Sequence, residues 1–374
     1  MDSNNTVHVV WWDLTSGVWG TDGEIMYVSY TEADGWSNVT VISDGYAGVY
    51  WNDGSSDDPD IAADDSGGIH VVWWDDTSGV WGTDPEIMYI SYTEADGWSN
   101  VTVISDGYAG VYWNDGISYY PDIAVDDSGD IHVVWKDSTR GVWGGGPSDT
   151  EIMYVSYTEA DGWSNATVIS DGYGGLYWND GFSSHPNMAI DDSEGIHVVW
   201  WDNTNGRWIA EIMYASYTEA TGWSNITVIS EGYSDIYGDI YTSDPDIAVN
   251  SSGNIHVVWE DWTDGVWGTD TEIMYANYTE ANGWSNPTVI SDDYLGTSWN
   301  DGQSYNPKCV SYYDKLYVVW WDTTDGVWGT DAEIMFTSLS IPASPITTSG
   351  GIPFGDLYLI ICTIGLIVYV KRKL

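Results

Sequence analysis

The stretch Ile69-His-Val-Val-Trp-Trp-Asp75, a loop rich in Asp, Gly and Trp, and then Glu86-Ile-Met-Tyr-Ile-Ser-Tyr92 recurs along almost the whole chain. Its HVVW core begins at His8, His70, His132, His197 and His256, and returns as Tyr317-Val-Val-Trp320. The glutamate of the EIM core stands at Glu24, Glu86, Glu151, Glu211, Glu272 and Glu333, at intervals of 62, 65, 60, 61 and 61 residues. A period of this length marks a repeat architecture, in which each unit buries its apolar faces by stacking on its neighbours.

Within the second unit, Pro59-Asp-Ile-Ala-Ala-Asp64 reads as a first strand, A, closed by the tight turn Asp65-Ser-Gly-Gly68. Strand B runs from Ile69 to Trp74 with apolar residues on both faces, and strand C from Glu86 to Tyr92 with the same pattern. Gly97-Trp-Ser-Asn100 then turns the chain into strand D, Val101 to Ser105. A sheet covered on both faces needs a neighbour on each side, and circular closure is the arrangement that leaves no exposed end. The fold expected for residues 1–340 is therefore all-β, a six-bladed β-propeller of four-stranded antiparallel blades.

Strands B and C occur six times; A occurs five times, from Pro59, Pro121, Pro186, Pro245 and Pro307, and D five times, after Trp36, Trp98, Trp163, Trp223 and Trp284. The first unit lacks its A strand and the last its D strand. A signal peptide and strand encoded upstream of Met1 is one account. A five-bladed ring would leave two strands unused.

Residues 341–351 are a Pro/Ser/Thr/Gly linker, 352–370 an apolar segment and 371–374 a basic end. The apolar run is expected to form a short C-terminal transmembrane helix or sorting segment, with Lys371-Arg-Lys373 on the cytoplasmic side and the propeller displayed on the cell surface. The order of these parts resembles the C-terminal sorting signals of archaeal surface proteins.

Against 58 Asp and Glu stand 8 Lys and Arg, a formal net charge of -50. Nucleic acid is excluded as a partner, because binding it depends on cations that neutralise phosphates. Cys309 lies in the repeats and Cys362 in the apolar tail, so no disulfide framework is expected.

In a propeller the loops from B to C and from D to the next A emerge on one face. Here they carry Trp19, Trp81, Trp143, Trp267 and Trp328, and the Trp-Asn-Asp-Gly copies with Trp51, Asp53, Trp113, Asp115, Trp178, Asp180, Trp299 and Asp301. Indole planes beside carboxylates suit sugar rings, so these residues are the candidates for binding a neutral glycan or a surface protein. The same indoles equally suit packing over the blade tops. Aspartates with Gly at the bend also offer hard oxygen ligands for calcium, the candidates being Asp13, Asp22, Asp75, Asp84, Asp261, Asp270, Asp322 and Asp331. The repeated histidines, each mid-strand in a different blade, are expected to be buried and hydrogen-bonded rather than metal ligands. His185 stands outside the pattern in a D to A connection.

Thr93-Glu-Ala-Asp-Gly-Trp98 and its copies are a degenerate counterpart of the Asp box, Ser-x-Asp-x-Gly-x-x-Trp, and on this ground the chain resembles the sialidase-like propellers. That resemblance implies a glycan-directed fold. Sialidase chemistry itself uses three arginines, and here only Arg140, Arg207 and the tail residue Arg372 exist, so that triad cannot be assembled. Near-identical loops argue against a single catalytic centre, and the expected function is a non-catalytic surface binding or adhesion propeller. The alternative is a sialidase-fold glycoside hydrolase or lyase. Departures from the repeat at Lys136, at Arg140 with Gly144-Gly-Gly-Pro147, and at Arg207-Trp-Ile-Ala210 direct the search for one site to the third and fourth units. Asn-X-Thr sequons recur at Asn38, Asn100, Asn165 and Asn225, while Pro287 interrupts the fifth.

Overall fold

A computed structural model of the chain describes residues 2, 4–14, 21–44, 54–77, 83–105, 116–138, 150–171, 181–203, 210–230, 242–262, 270–291, 302–324 and 332–341, with the backbone of 357–363 and 366–372. The fold is the all-β six-bladed propeller, with strands ordered A, B, C, D across each complete blade. In blade 2 these are Ser56–Ala63, Ile69–Asp75, Glu86–Thr93 and a D strand in two pieces, Gly97–Trp98 and Thr102–Val103, both paired with C. Among the described residues, blade 1 consists of B, C and D, and blade 6 of A, B and C. By contact the chain divides into two compact units, Met1–Pro186 with Ile364–Ile367, and Asn187–Thr363 with Val368–Leu374.

Two strands differ from the reading above. Gly97, at φ 77, makes the tight turn from C into strand D, which is then broken between Trp98 and Thr102, where serine side chains stand in for ladder partners. Ser99 Oγ accepts the Ser91 N–H at 3.0 Å, and Ser105 Oγ accepts that of Ile87 at 2.7 Å. Strand A begins earlier than expected, at Ser56, and reaches Pro59 through a bulge. Asp57 is opposite Trp74 and Asp60 opposite Val72, leaving Asp58 and Pro59 out of register. Proline has no N–H to give the ladder, so the strand must bulge there.

Alternate residues of strand B serve opposite faces. Val71 and Trp73, both fully buried, pack with Val10, Ile25 and Tyr27 of blade 1, while Val72 packs with Ile131, Val133 and Trp135 of blade 3. In the second unit, Val257 and Trp259 pack with Val199 and Tyr214, and Val258 with Val318 and Trp320. Burying both faces of every B strand is what makes HVVW recur.

Each repeated histidine is a hydrogen-bonded core residue. His70 Nδ1 lies 2.8 Å from Tyr89 Oη and Nε2 lies 3.3 Å from Asp64. The same chain recurs as Tyr27–His8–Asp2, Tyr154–His132–Asp126 and Tyr214–His197–Asp191, with Asn250 replacing the aspartate beside His256. The tyrosine also meets the next blade. Trp98 packs edge-on against Tyr27 at 4.9 Å, Trp163 against Tyr89 at 4.9 Å and Trp284 against Tyr214 at 5.0 Å. The tryptophan of the Asp-box counterpart is thus a contact between blades.

In the tail, Leu357–Thr363 and Leu366–Arg372 pair as two strands. β-Branched and aromatic residues on both sides of Gly365 favour this extended pairing. The helix expected over 352–370 is not among the described elements, and no described helix is long and apolar enough to cross a membrane.

Candidate functional site

The glycan candidates Trp19, Trp51, Asp53, Trp81, Trp113, Asp115, Trp143, Trp178, Asp180, Trp267, Trp299, Asp301 and Trp328 lie outside the described residues, as do Asp331, Arg140 and Arg207. Of the calcium candidates, Asp75 is engaged within its own blade. It accepts Ser56 Oγ at 2.6 Å, Trp73 Nε1 at 3.4 Å and the Thr77 N–H at 2.8 Å. Asp322 repeats this with Ser304, Trp320 and Thr324, and Asp261 accepts Thr242 Oγ1 at 2.9 Å. Asp13 pairs in register with Glu24, Asp22 and Asp84 accept the N–H of the preceding threonine, and Asp270 is buried. Among the described residues no group of three or more His, Cys, Asp or Glu is placed to hold a metal ion.

A different constellation forms in the first unit, where the bulges of strand A meet strand B. The residue before each proline is forced to positive φ: 47 at Asp58, 55 at Tyr120 and 49 at His185. Such backbone is unfavourable for bulky side chains and redirects them out of the ladder. Tyr120 and His185 consequently stack, ring centroids 4.0 Å apart and planes 24° from parallel.

Lys136, opposite Tyr119 on strand B of blade 3, directs its ammonium to the same place. Its Nζ lies 4.1 Å from the ring centre of Phe182 and 5.7 Å from that of Tyr120. Phe182 is placed by a parallel bridge to Thr150, whose Oγ1 donates to Ser183 O at 2.7 Å. On the other side Tyr119 packs edge-on against Trp74 at 4.7 Å, and Trp74 Nε1 donates to Asp58 at 2.9 Å.

In a chain of net charge -50, no described carboxylate lies within ion-pair distance of Lys136. Burial pushes its pKa down to about 8, so the ammonium persists at neutral pH with aromatic faces as its neighbours. Asp58 is exposed at its surface but crowded by protein atoms around its carboxyl, and this burial raises its pKa to about 6 against the lowering hydrogen bond from Trp74. An ammonium, an imidazole and a phenol converging beside aromatic walls can neutralise an anionic ligand group and exchange protons with it.

The second unit carries bulges of the same form at Asp244 and Asn306, with φ 47 and 48. Here strand B presents Glu260 where blades 2, 4 and 6 have Trp74, Trp201 and Trp321. Glu260 accepts Ser243 Oγ at 2.5 Å and the Asn306 N–H at 3.0 Å. Burial, then the neighbouring charge of Asp244, raises its carboxyl to about 7.

Of the departures from the repeat, Lys136 and His185 are brought together by the fold with Tyr120 and Phe182. Asp58, Tyr120, Phe182, Asp244 and Glu260 escaped the reading of the sequence. A signal was there: the residue before proline is Asp58, Tyr120, His185, Asp244 or Asn306, varying even among the three copies that continue identically as Pro-Asp-Ile-Ala.

No family profile matches the chain, and no curated protein matches it in sequence. Solved structures do share its fold. The polysaccharide lyase Uly1 aligns with a TM-score of 0.52 at 12% identity, over 98% of this chain and 84% of the lyase. A protein of unknown function from Dyadobacter fermentans gives 0.51 at 9%, over 91% and 92%. The leech intramolecular trans-sialidase, complexed with 2,7-anhydro-Neu5Ac, gives 0.50 at 9%, over 91% and 67%. At such identities the likeness concerns the fold alone, which these solved structures share with the chain.

Proposed function

We propose that the chain is a carbohydrate-active propeller that cleaves a uronic-acid-containing polysaccharide by β-elimination at Lys136, Tyr120 and His185. The observation that carries this reading is the half-buried Lys136 ammonium with no described carboxylate in ion-pair reach. Removing a proton next to a carboxylate requires that the developing charge be neutralised, and a preorganised cation in a dry, aromatic setting does this best. Lys136 holds the uronate carboxylate. His185 takes the C5 proton, the C–H electrons form the C4=C5 double bond, and the C4–O bond breaks. Tyr120 protonates the departing oxygen, while the rings of Phe182 and Tyr120 present apolar faces to the sugar.

The polysaccharide lyase among the structures of like fold supports the polymer class. Surface display on the apolar segment 352–370 is part of the same proposal, since a polysaccharide substrate lies outside the cell.

Pectate, alginate and glycosaminoglycans, incubated with the full chain, are expected to yield an unsaturated product seen by ultraviolet absorbance and mass, lost in Lys136→Met. Saturated products would point to hydrolysis instead. Retention of a neutral glycan or surface protein without cleavage would favour the binding role of the loop indoles. A chain that neither binds nor cleaves any uronate polymer sinks the proposal.

A further inference from the structure

Four turns of one form carry Asn-X-Thr: Asn38-Val-Thr40, Asn100-Val-Thr102, Asn165-Ala-Thr167 and Asn225-Ile-Thr227. Each joins the two pieces of a D strand, as between Gly97–Trp98 and Thr102–Val103. Asparagine in a turn ordinarily serves it by bonding to nearby backbone. Here the preceding serine does that work. Ser37 Oγ accepts the Ser29 N–H at 3.0 Å and donates to Asn38 O at 3.2 Å. Ser99, Ser164 and Ser224 repeat both bonds.

The asparagine amides take no part. All four are exposed and make no hydrogen bond among the described residues, and the same holds for the hydroxyls of Thr40, Thr102, Thr167 and Thr227. Blade 5 is an internal control. Asn286-Pro-Thr288 keeps the turn, with Ser285 Oγ accepting the Asn277 N–H at 3.0 Å, although proline occupies the middle position. Its threonine, although exposed like the others, is engaged, Thr288 Oγ1 donating to Tyr275 O at 3.4 Å. The turn therefore folds without a usable sequon, and neither side chain of the other four sequons is required by the fold.

We propose that Asn38, Asn100, Asn165 and Asn225 are N-glycosylated and that Asn286 is not. The amide nitrogen forms a bond to C1 of an oligosaccharide carried on a polyprenyl phosphate. The sugar–phosphate bond breaks, the phosphate leaves with the electron pair, and the amide loses one proton. The position has a physical use. Among the described residues the second pieces of strand D pair only with C, and a bulky hydrated glycan beside their other edge blocks pairing with another chain. Next to Asn38, Trp36 is 56% and Val39 55% exposed, apolar surface that such a glycan would shield. This inference stands apart from the cleavage reaction and needs only that the propeller be exported.

The test is glycopeptide mass spectrometry of the full chain recovered from the surface of its source cells. Glycan is expected at the four asparagines and not at Asn286. Asn100→Gln should remove one glycan and leave the other three. Pro287→Val, which completes a fifth sequon, should add one. Unmodified peptides at all four positions overturn the proposal, and so does failure to find the chain outside the cytoplasm.

Discussion

The imidazole of His185 lies on the ring of Tyr120 with centroids 4.0 Å apart, although the two residues belong to the A strands of different blades. Both occupy the position before a proline, at φ 49 and 55, and both leave the ladder there. With Lys136 4.1 Å from the Phe182 ring centre, this stack is the most singular place in an otherwise repetitive first unit.

Elimination should lose activity as pH rises through the Lys136 pKa of about 8, because only the ammonium neutralises a uronate. Lys136→Arg should move that alkaline limb upward, since guanidinium stays charged. Lys136→Met should lower kcat about 100- to 1000-fold, the usual effect of removing one preorganised stabilising group. A pH–rate profile of the three proteins checks this; an alkaline limb that is unmoved in Lys136→Arg refutes the assignment.

Salt should speed the proposed elimination. A net charge of -50 repels a polyanionic substrate at long range, and about 0.1 M salt shortens that reach to roughly 10 Å while touching the partly buried Lys136 contact less. Initial rates at low substrate should therefore rise between low and moderate ionic strength. A monotonic fall would mean that the attractive contact is more screened than the repulsion.

The edge-on pair Tyr89 and Trp163, at 4.9 Å, joins blades 2 and 3. A double-mutant cycle with Tyr89→Leu and Trp163→Ala, read by denaturant unfolding, should give a coupling of about 0.5–1.5 kcal/mol. Additive effects would show that the rings pack independently.

His256 faces Asn250 rather than an aspartate, and burial alone pushes its pKa down to about 4 from 6.5. The unfolded chain therefore binds the proton more readily. The stability this histidine contributes is present above about pH 6.5 and is lost as pH falls toward 4. Asn250→Asp should raise its pKa by supplying the carboxylate that the other blades have, measurable by NMR titration of the ring. An unchanged titration would mean that the aspartates do not act on their histidines.

Much of the fold was legible because burial on two faces imposes a local pattern: Ile69, Val71 and Trp73 against one neighbour, Val72 against the other. Reading the histidines as core residues rested on the same periodicity, and His70 between Tyr89 and Asp64 shows the bonds that periodicity requires. The site was harder to read. Aromatic loops drew attention by composition, whereas Asp58, Tyr120 and His185 are single residues inside strands that look routine.

The sequence by itself determined the repeat, the six B and C strands, and the five A and five D strands. Each is a matter of residue type and spacing along the chain. Only the tertiary structure decided that Lys136, Tyr120, Phe182 and His185 meet. Their meeting depends on bulges before proline that turn side chains out of register and on contact between A strands of successive blades, neither of which any local period encodes.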